Sequence, residues 1–235
     1  MLLRNNFVQR LGGGWLERFG IKLAGFFELL ALGLHKEAEI IRLIRRTRRE
    51  RRSLLLATEQ MQLYLLAKAQ CERIPGAMAE VGVFEGASAR LLCDVKGDRP
   101  LHLFDTFDGL PEASDRDDAG LYKQHQYACG LESVRAYLKR FANVRLHKGL
   151  FPDSTQGVAE LHGLNYNFVH LDVDLYASTI GCLEYFYNRM SPGGVLISHD
   201  YGILAGVRSA FTDFFTDKPE PVIELPTTQC MVFKQ

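Results

Sequence analysis

Apolar residues change their spacing once along this chain, and the change divides it. Trp15, Phe19, Leu23, Phe26 and Leu30 recur at three- and four-residue steps, the period of an amphipathic helix. Further helical stretches follow over residues 37–52 and 54–71 and end at Ile74-Pro75-Gly76; Gly12-Gly13-Gly14 breaks helix ahead of all three. Beyond Pro75 come short apolar runs, over residues 77–83, 101–104, 144–147, 168–172 and 195–198, separated by helical patterns. That alternation predicts a mostly parallel sheet with helices on both faces. Residues 221–225 and 230–233 flank Thr227-Thr228 and read as a hairpin that adds an antiparallel edge. The expectation is an α/β fold: a doubly wound, seven-stranded, mostly parallel sheet over residues 54–235, preceded by a helical extension over residues 1–53.

Composition narrows the class. With 235 residues, 47% hydrophobic and 24% charged, the chain suits one sizeable globular domain. Its formal net charge of zero argues against a general nucleic-acid binder. Charge is unevenly placed, however. Arg42, Arg45, Arg46, Arg48, Arg49, Arg51 and Arg52 crowd one stretch, and Asp105, Asp108, Glu112, Asp115, Asp117 and Asp118 another. The basic stretch reads either as a solvated helix face or as a peripheral contact with anionic lipid. The stripe from Trp15 to Leu30 reads as a contact between copies in a homo-oligomer or as a lid over a binding site. Five cysteines without a CxxC pair exclude a disulfide framework and a thiolate zinc site. There is no signal-peptide pattern, and the apolar stretch 24–34 contains Glu28 and falls short of the about 20 residues a membrane span needs, so a cytoplasmic protein is expected.

In a doubly wound sheet, ligands bind beyond the carboxyl ends of the strands, and the informative residues stand there. The first strand runs into "AEVGVFEGASA", with Glu80, Gly82, Glu85, Gly86, Ala87 and Ser88. Its Gly82-x-x-x-Gly86 spacing departs from the G-x-G-x-x-G of dinucleotide sites, and a pyrophosphate disfavours the charge of Glu80 and Glu85. Two acids at a glycine turn suit a cationic ligand, and S-adenosylmethionine carries both a sulfonium and an ammonium. An ordinary strand–helix turn is the bland alternative. "HLFDTFDGLP" ends the second strand with Asp105, placed to hold ribose hydroxyls; Asp108 is the other candidate, unless it caps the turn. "HKGLFPDS" ends the third, where Gly149 and Leu150 frame an adenine and Phe151 is either wall or core.

The fourth strand ends in "HLDVDLYAST" and the fifth in "SHDYG", which brings Asp172, Asp174, His199 and Asp200 to strand tips about 4.8 Å apart. Carboxylate oxygens suit Mg2+ or Ca2+, and an imidazole moves the preference toward transition metals. Residues two apart in a strand share a side, so Asp174 can face a substrate beside an ion held by Asp172. The bland reading makes one acid a cap for a helix starting near Ser178, and His199 a hydrogen-bonded core histidine.

In this order, "AEVGVFEGASA", "FDTFDGLP", "KGLFPDS", "HLDVDLYAST" and "SPGGVLISHDYG" resemble the macrocin O-methyltransferase family over residues 58–235. The resemblance implies the seven-stranded sheet of class I methyltransferases with S-adenosylmethionine across the strand tips. It also implies a divalent ion, usually Mg2+, that orients a sugar hydroxyl of a glycoside or glycan. By position, Asp172 looks like a metal ligand that also faces the donor, Asp174 like the general base, and Asp200 like the second acid of the ion site. The family usually has two adjacent aspartates where this chain has His199-Asp200. His199 is then either a ligand, favouring Mn2+, Fe2+ or Zn2+ over Mg2+, or a replacement base. Val173 is larger than the family's usual residue and narrows the acceptor pocket, while residues 110–130 form an insertion that shapes acceptor choice. Two other classes compete. One is an NAD(P)-dependent oxidoreductase, which the acids at the glycine turn disfavour. The other is a non-catalytic membrane-surface or scaffold protein led by the arginine run.

Overall fold

The computed structural model describes residues 15–117 and 122–235, with side chains from Phe19 onward. The glycine run at residues 12–14, the Trp15 side chain and Asp118 lie outside this description. Five strands run parallel: β1 (Ala77–Val81), β2 (Leu101–Asp105), β3 (Val144–Lys148), β4 (Tyr166–Leu171) and β5 (Met190–Ser198). With β6 (Ile223–Glu224) and β7 (Cys230–Phe233) they form one seven-stranded sheet in the order β3-β2-β1-β4-β5-β7-β6. β7 is antiparallel to both of its neighbours, as the terminal hairpin predicts. β6 is shorter than the apolar run 221–225. Pro221 has no N–H to donate to a ladder, and Leu225 already turns, its N–H bonded to Gln229 O at 2.9 Å.

Central strands β1 and β4 are buried along their whole length, as strands covered on both faces must be. On one face, Cys182, Leu183 and Phe186 of α6 (Tyr176–Tyr187) and Val207 and Phe211 of α7 (Ala205–Phe215) pack on Ala79, Val81, Val169 and Leu171. The other face carries α3 (Ala57–Arg73), α4 (Ala87–Val95) and α5 (Leu131–Leu138), whose Leu63, Ala67, Leu92 and Val134 cover Met78, Leu103, Phe168 and Ile197. A further layer comes from the N-terminal helices α1 (Trp15–Leu32) and α2 (Ala38–Glu50). Their Leu29, Leu32, Ile40, Ile41 and Ile44 share a core with Met61 and Tyr64 of α3 and Leu91 of α4.

Helix α1 does not bury the stripe that its periodicity marks. Phe19, Leu23, Phe26 and Leu30 are exposed, and the packed side holds Gly25, Leu29 and Leu32. Two polar contacts choose that side. Glu28 accepts the Ala57 and Thr58 N–H groups at 2.7 and 3.2 Å, satisfying orphan donors at the start of α3. Gly25 leaves room for the Arg48 guanidinium, whose Nη2 would lie 2.5 Å from an added Cβ. The arginine run is likewise divided rather than uniformly solvated. Arg42, Arg45, Arg46 and Arg49 are exposed. Arg48 donates inward to Leu55 O and Ile21 O, Arg51 to Ser133, and Arg52 to Glu85. No described helix is long and apolar enough to cross a membrane.

Candidate active site at the strand tips

After β1 the chain builds β2 and β3 on one side and then crosses to β4 on the other, so the sheet's switch point lies between β1 and β4. A cavity of about 590 Å3 opens there. Its wall includes Gly82, Ala87, Ser88, Asp105, Gly149, Leu150, Asp172, Asp174, His199 and Asp200. Backbone contacts lock the tips together: Asp172 N–H donates to Val81 O (2.9 Å) and His199 N–H to Leu171 O (2.8 Å). Gly82, at φ +87°, cannot be replaced, since an added Cβ would lie 1.8 Å from the Asp172 carbonyl oxygen.

Three residues expected to touch the cofactor do not line this cavity. Glu80 is fully buried and bonds His170 Nδ1 at 2.8 Å, because its position in β1 faces the neighbouring position of β4 rather than the tip; burial pushes its carboxyl up. Glu85 is taken by the N-terminal segment, accepting Arg52 Nε–H at 2.5 Å and Arg52 N–H at 2.8 Å. Gly86, at φ +81°, faces Val134, Tyr137 and Leu138 of α5. Asp105 does border the cavity, but its carboxylate accepts the N–H groups of Val83, Phe84 and Phe107 at 2.7–2.9 Å, so it holds the glycine turn in place. Asp108 is exposed and paired with Lys148 at 3.0 Å. Phe151 serves in both capacities, stacked on Phe186 at 5.3 Å and bordering the cavity.

The acids meet as the motif order implies. His199 Nδ1 lies 3.2 Å from Asp172 Oδ1 and 2.9 Å from Asp200 Oδ2, and Asp174 is hydrogen-bonded to Asp200. Asp174 and Asp200 both adopt left-handed backbone, at φ 59° and 61°, which turns the chain sharply after each strand. Neither Asp172 nor Asp174 caps α6. That helix starts at Tyr176, whose N–H is held by Asp117 Oδ1 at 2.7 Å, from the 110–130 segment. The same segment contributes Leu110, Pro111, Tyr122, Gln126 and Tyr127 to the cavity wall.

Burial alone would neutralise this cluster, and the charges decide otherwise. Burial lowers the pKa of His199, but Asp200, Asp172 and Glu59 outweigh it and hold the imidazole well above its usual range. Burial raises Asp172, and the charge of the adjacent His199 brings it below the carboxylate range. For Asp174 burial, Asp200 and Asp172 all act in one direction and push its carboxyl well up. Glu59 was not singled out by its sequence. It sits on α3, bonds His199 Nε2 at 3.2 Å, and is held at about 2, against the upward push of burial, by His199, Thr228 and Leu56. Its signal was the glutamate at the third position of a helix, which reads as a capping residue; indeed it accepts Leu56 N–H at 2.7 Å.

Four carboxyl groups (Glu59, Asp172, Asp174 and Asp200) thus surround one imidazole. One donor atom from each of Asp172, His199 and Asp200 lies within 4.8 Å of the others. His199 Nδ1 is buried and aligned for a hydrogen bond with neither neighbouring acid. An orphan nitrogen beside two acid oxygens, with excess negative charge around them, fits a divalent cation.

Comparison with known proteins identifies the family. Residues 58–233 match the family model described as Macrocin-O-methyltransferase (TylF). The chain is 33% identical over 170 residues to the 8-demethyl-8-(2,3-dimethoxy-alpha-L-rhamnosyl)-tetracenomycin-C 4'-O-methyltransferase of Streptomyces olivaceus, covering 64% of this chain and 62% of that protein. It is 33% identical over 151 residues to the Mycinamicin III 3''-O-methyltransferase of Micromonospora griseorubida, covering 56% and 58%. The chain therefore spans about three-fifths of the length of these relatives. Among solved structures, the O-methyltransferase NovP superposes with a TM-score of 0.67 at 20% identity, covering 78% of this chain and 82% of NovP. The calicheamicin methyltransferase CalS11 gives 0.65 at 19%, covering 85% and 94%. With the family match running from α3 to the last strand, and its motifs converging on one cavity, this chain belongs to the macrocin O-methyltransferase family.

Proposed function

We propose that this chain transfers a methyl group from S-adenosylmethionine to a hydroxyl of a sugar on a natural-product glycoside, with a divalent ion held by Asp172, His199 and Asp200. The observation that carries the reading is the convergence of those three side chains and Asp174 on the cavity beside the Gly82 turn. The names of the relatives, which methylate sugar positions on tetracenomycin and mycinamicin, support the acceptor class.

The donor's sulfonium activates its methyl carbon, so the protein's tasks are alignment and proton removal. The acceptor oxygen forms its bond to that carbon as the carbon–sulfur bond breaks, and the hydroxyl proton goes to Asp174. An ordinary carboxylate is too weak a base for a sugar hydroxyl. Burial and two neighbouring acids raise the proton affinity of Asp174, so it accepts the hydroxyl proton once nearby positive charge has displaced its own. A divalent ion bound to the three-residue set supplies charge that lowers the hydroxyl's pKa and offsets the acids. His199 is not placed as the base: its Nε2–H is given to Glu59 and its Nδ1 faces two carboxylates. Leu110, Pro111, Tyr122 and Tyr127 give the acceptor side apolar walls.

The test is transfer of labelled methyl to a panel of sugar-bearing natural products and glycans, with and without EDTA. Label appearing on a sugar hydroxyl, lost with EDTA and restored by added ion, is the expected result. Transfer indifferent to EDTA would remove the ion from the reading, and binding of NAD in place of S-adenosylhomocysteine would remove the reaction.

A further inference from the structure

Glu59 joins three distant parts of the chain. Its Oε2 accepts Leu56 N–H at the start of α3 (2.7 Å) and His199 Nε2–H at the tip of β5 (3.2 Å). Its Oε1 accepts the N–H and hydroxyl of Thr228, in the β6–β7 turn, at 3.1 and 2.6 Å. The side chain is fully buried. A carboxylate surrounded by donors can only accept, so its bond to Nε2 requires the proton there. The lone pair of a neutral ring is then on Nδ1. That atom is buried, 3.2 and 2.9 Å from an oxygen of Asp172 and of Asp200, and aligned on neither. An ion that takes the place of the Nδ1 proton would therefore find this nitrogen and the two acid oxygens facing a common point. Histidines that bind metals commonly hand their other N–H to a carboxylate, which sets the tautomer, fixes the ring and raises its basicity.

We infer that Glu59 is a positioning residue that fixes His199 as a nitrogen donor, and that this donor makes the centre prefer Mn2+ over Mg2+. The inference rests on the divalent-ion reading above. Mg2+ takes oxygen ligands in near-ideal octahedra and keeps its waters, whereas imidazole suits first-row transition metals. At the tip of β5 an imidazole nitrogen stands beside the Asp200 carboxylate, and the buried carboxylate behind that imidazole comes from a helix outside the sheet.

Full-length protein stripped with EDTA is titrated calorimetrically with Mn2+ and with Mg2+. The Mn2+-loaded form is examined by electron spin-echo envelope modulation for coupling to imidazole nitrogen. Wild type is expected to bind Mn2+ more tightly than Mg2+ and to show that coupling. Glu59→Gln should weaken Mn2+ binding by about ten- to a hundred-fold, with Mg2+ affected far less. His199→Asp should abolish the coupling, and in that background Glu59→Gln should no longer move the Mn2+/Mg2+ ratio. Thr228→Ala removes one bond to Glu59 but leaves His199 held, so it controls for general loosening and should keep the wild-type ratio. Mn2+ bound without nitrogen coupling, or a wild-type ratio in Glu59→Gln, overturns the role of Glu59 and leaves the ion reading standing. Wild type that binds neither ion overturns both.

Discussion

Two buried histidine centres in this protein look alike by proximity and differ in chemistry. His199 is ringed by carboxylates, which hold its pKa well above the usual range despite burial. His102 on β2 and His147 on β3 are also buried, with Glu160 in reach, and their three donor atoms lie within 4.8 Å of one another. Here burial dominates: His102 is pushed down to about 4, with His147 adding to the effect, and His147 is lowered as well. The two rings are tilted by only 21°, with centroids 5.3 Å apart and Nδ1 of His102 3.0 Å from Nε2 of His147. The nitrogens point at each other, so within this pair one donates and the other accepts. Glu160 is engaged by Arg145 at 3.2 Å. The difference is charge: acids outnumber the imidazole at His199, whereas the His102–His147 pair is bonded to itself with a single exposed glutamate nearby.

The largest expected effect lies at the acids around His199. Asp174→Asn is expected to cost about 10²–10⁴-fold in methyl transfer while leaving S-adenosylhomocysteine binding intact; near-normal turnover would remove Asp174 as base. Next come the histidines. His199→Leu leaves buried carboxylates uncompensated and should cost about 3–5 kcal/mol in urea denaturation. His102→Leu strands one nitrogen of His147 and should cost about 1–3 kcal/mol, whereas the His102→Leu/His147→Leu pair should be closer to wild type than either single change. Equal losses at the two centres would erase the distinction.

Acid titration separates them by sign. His102 has a depressed pKa, so below its ordinary value of 6.5 the unfolded chain binds the proton more readily. Stability should therefore fall, by no more than about 3 kcal/mol, as pH drops from 6.5 toward 4, and the double leucine variant should flatten that slope. His199, with a raised pKa, contributes stability that is complete below 6.5 and is lost as pH rises through its folded value. Thermal melts across pH in the two backgrounds would show opposite slopes. The smallest effect belongs to a partly exposed pair: Arg52→Ala, which removes the side-chain bond to Glu85 and keeps the backbone one, should change stability by about 1 kcal/mol or less.

Much of this was legible because it is local. Asp172, Asp174, His199 and Asp200 follow strands that are neighbours in the sheet, and parallel neighbours end at the same edge. The glycine turn, the strand rhythm and the terminal hairpin are set by period and by turn residues within a few positions. Glu80 and Glu85 misled for the opposite reason. A strand alternates its faces, and the acid before a turn is claimed by whichever partner packs there, His170 in one case and Arg52 in the other.

The order of elements and the edge at which chemistry gathers follow from local pattern, since hydrophobic period and turn residues act over a few bonds. The tertiary structure alone decided that α1 packs through Gly25 and Glu28 rather than through its phenylalanines. It also decided that Glu59 stands behind His199 across 140 residues of chain. Such pairings arise when separate elements dock and buried polar groups must find partners, a condition no local pattern encodes.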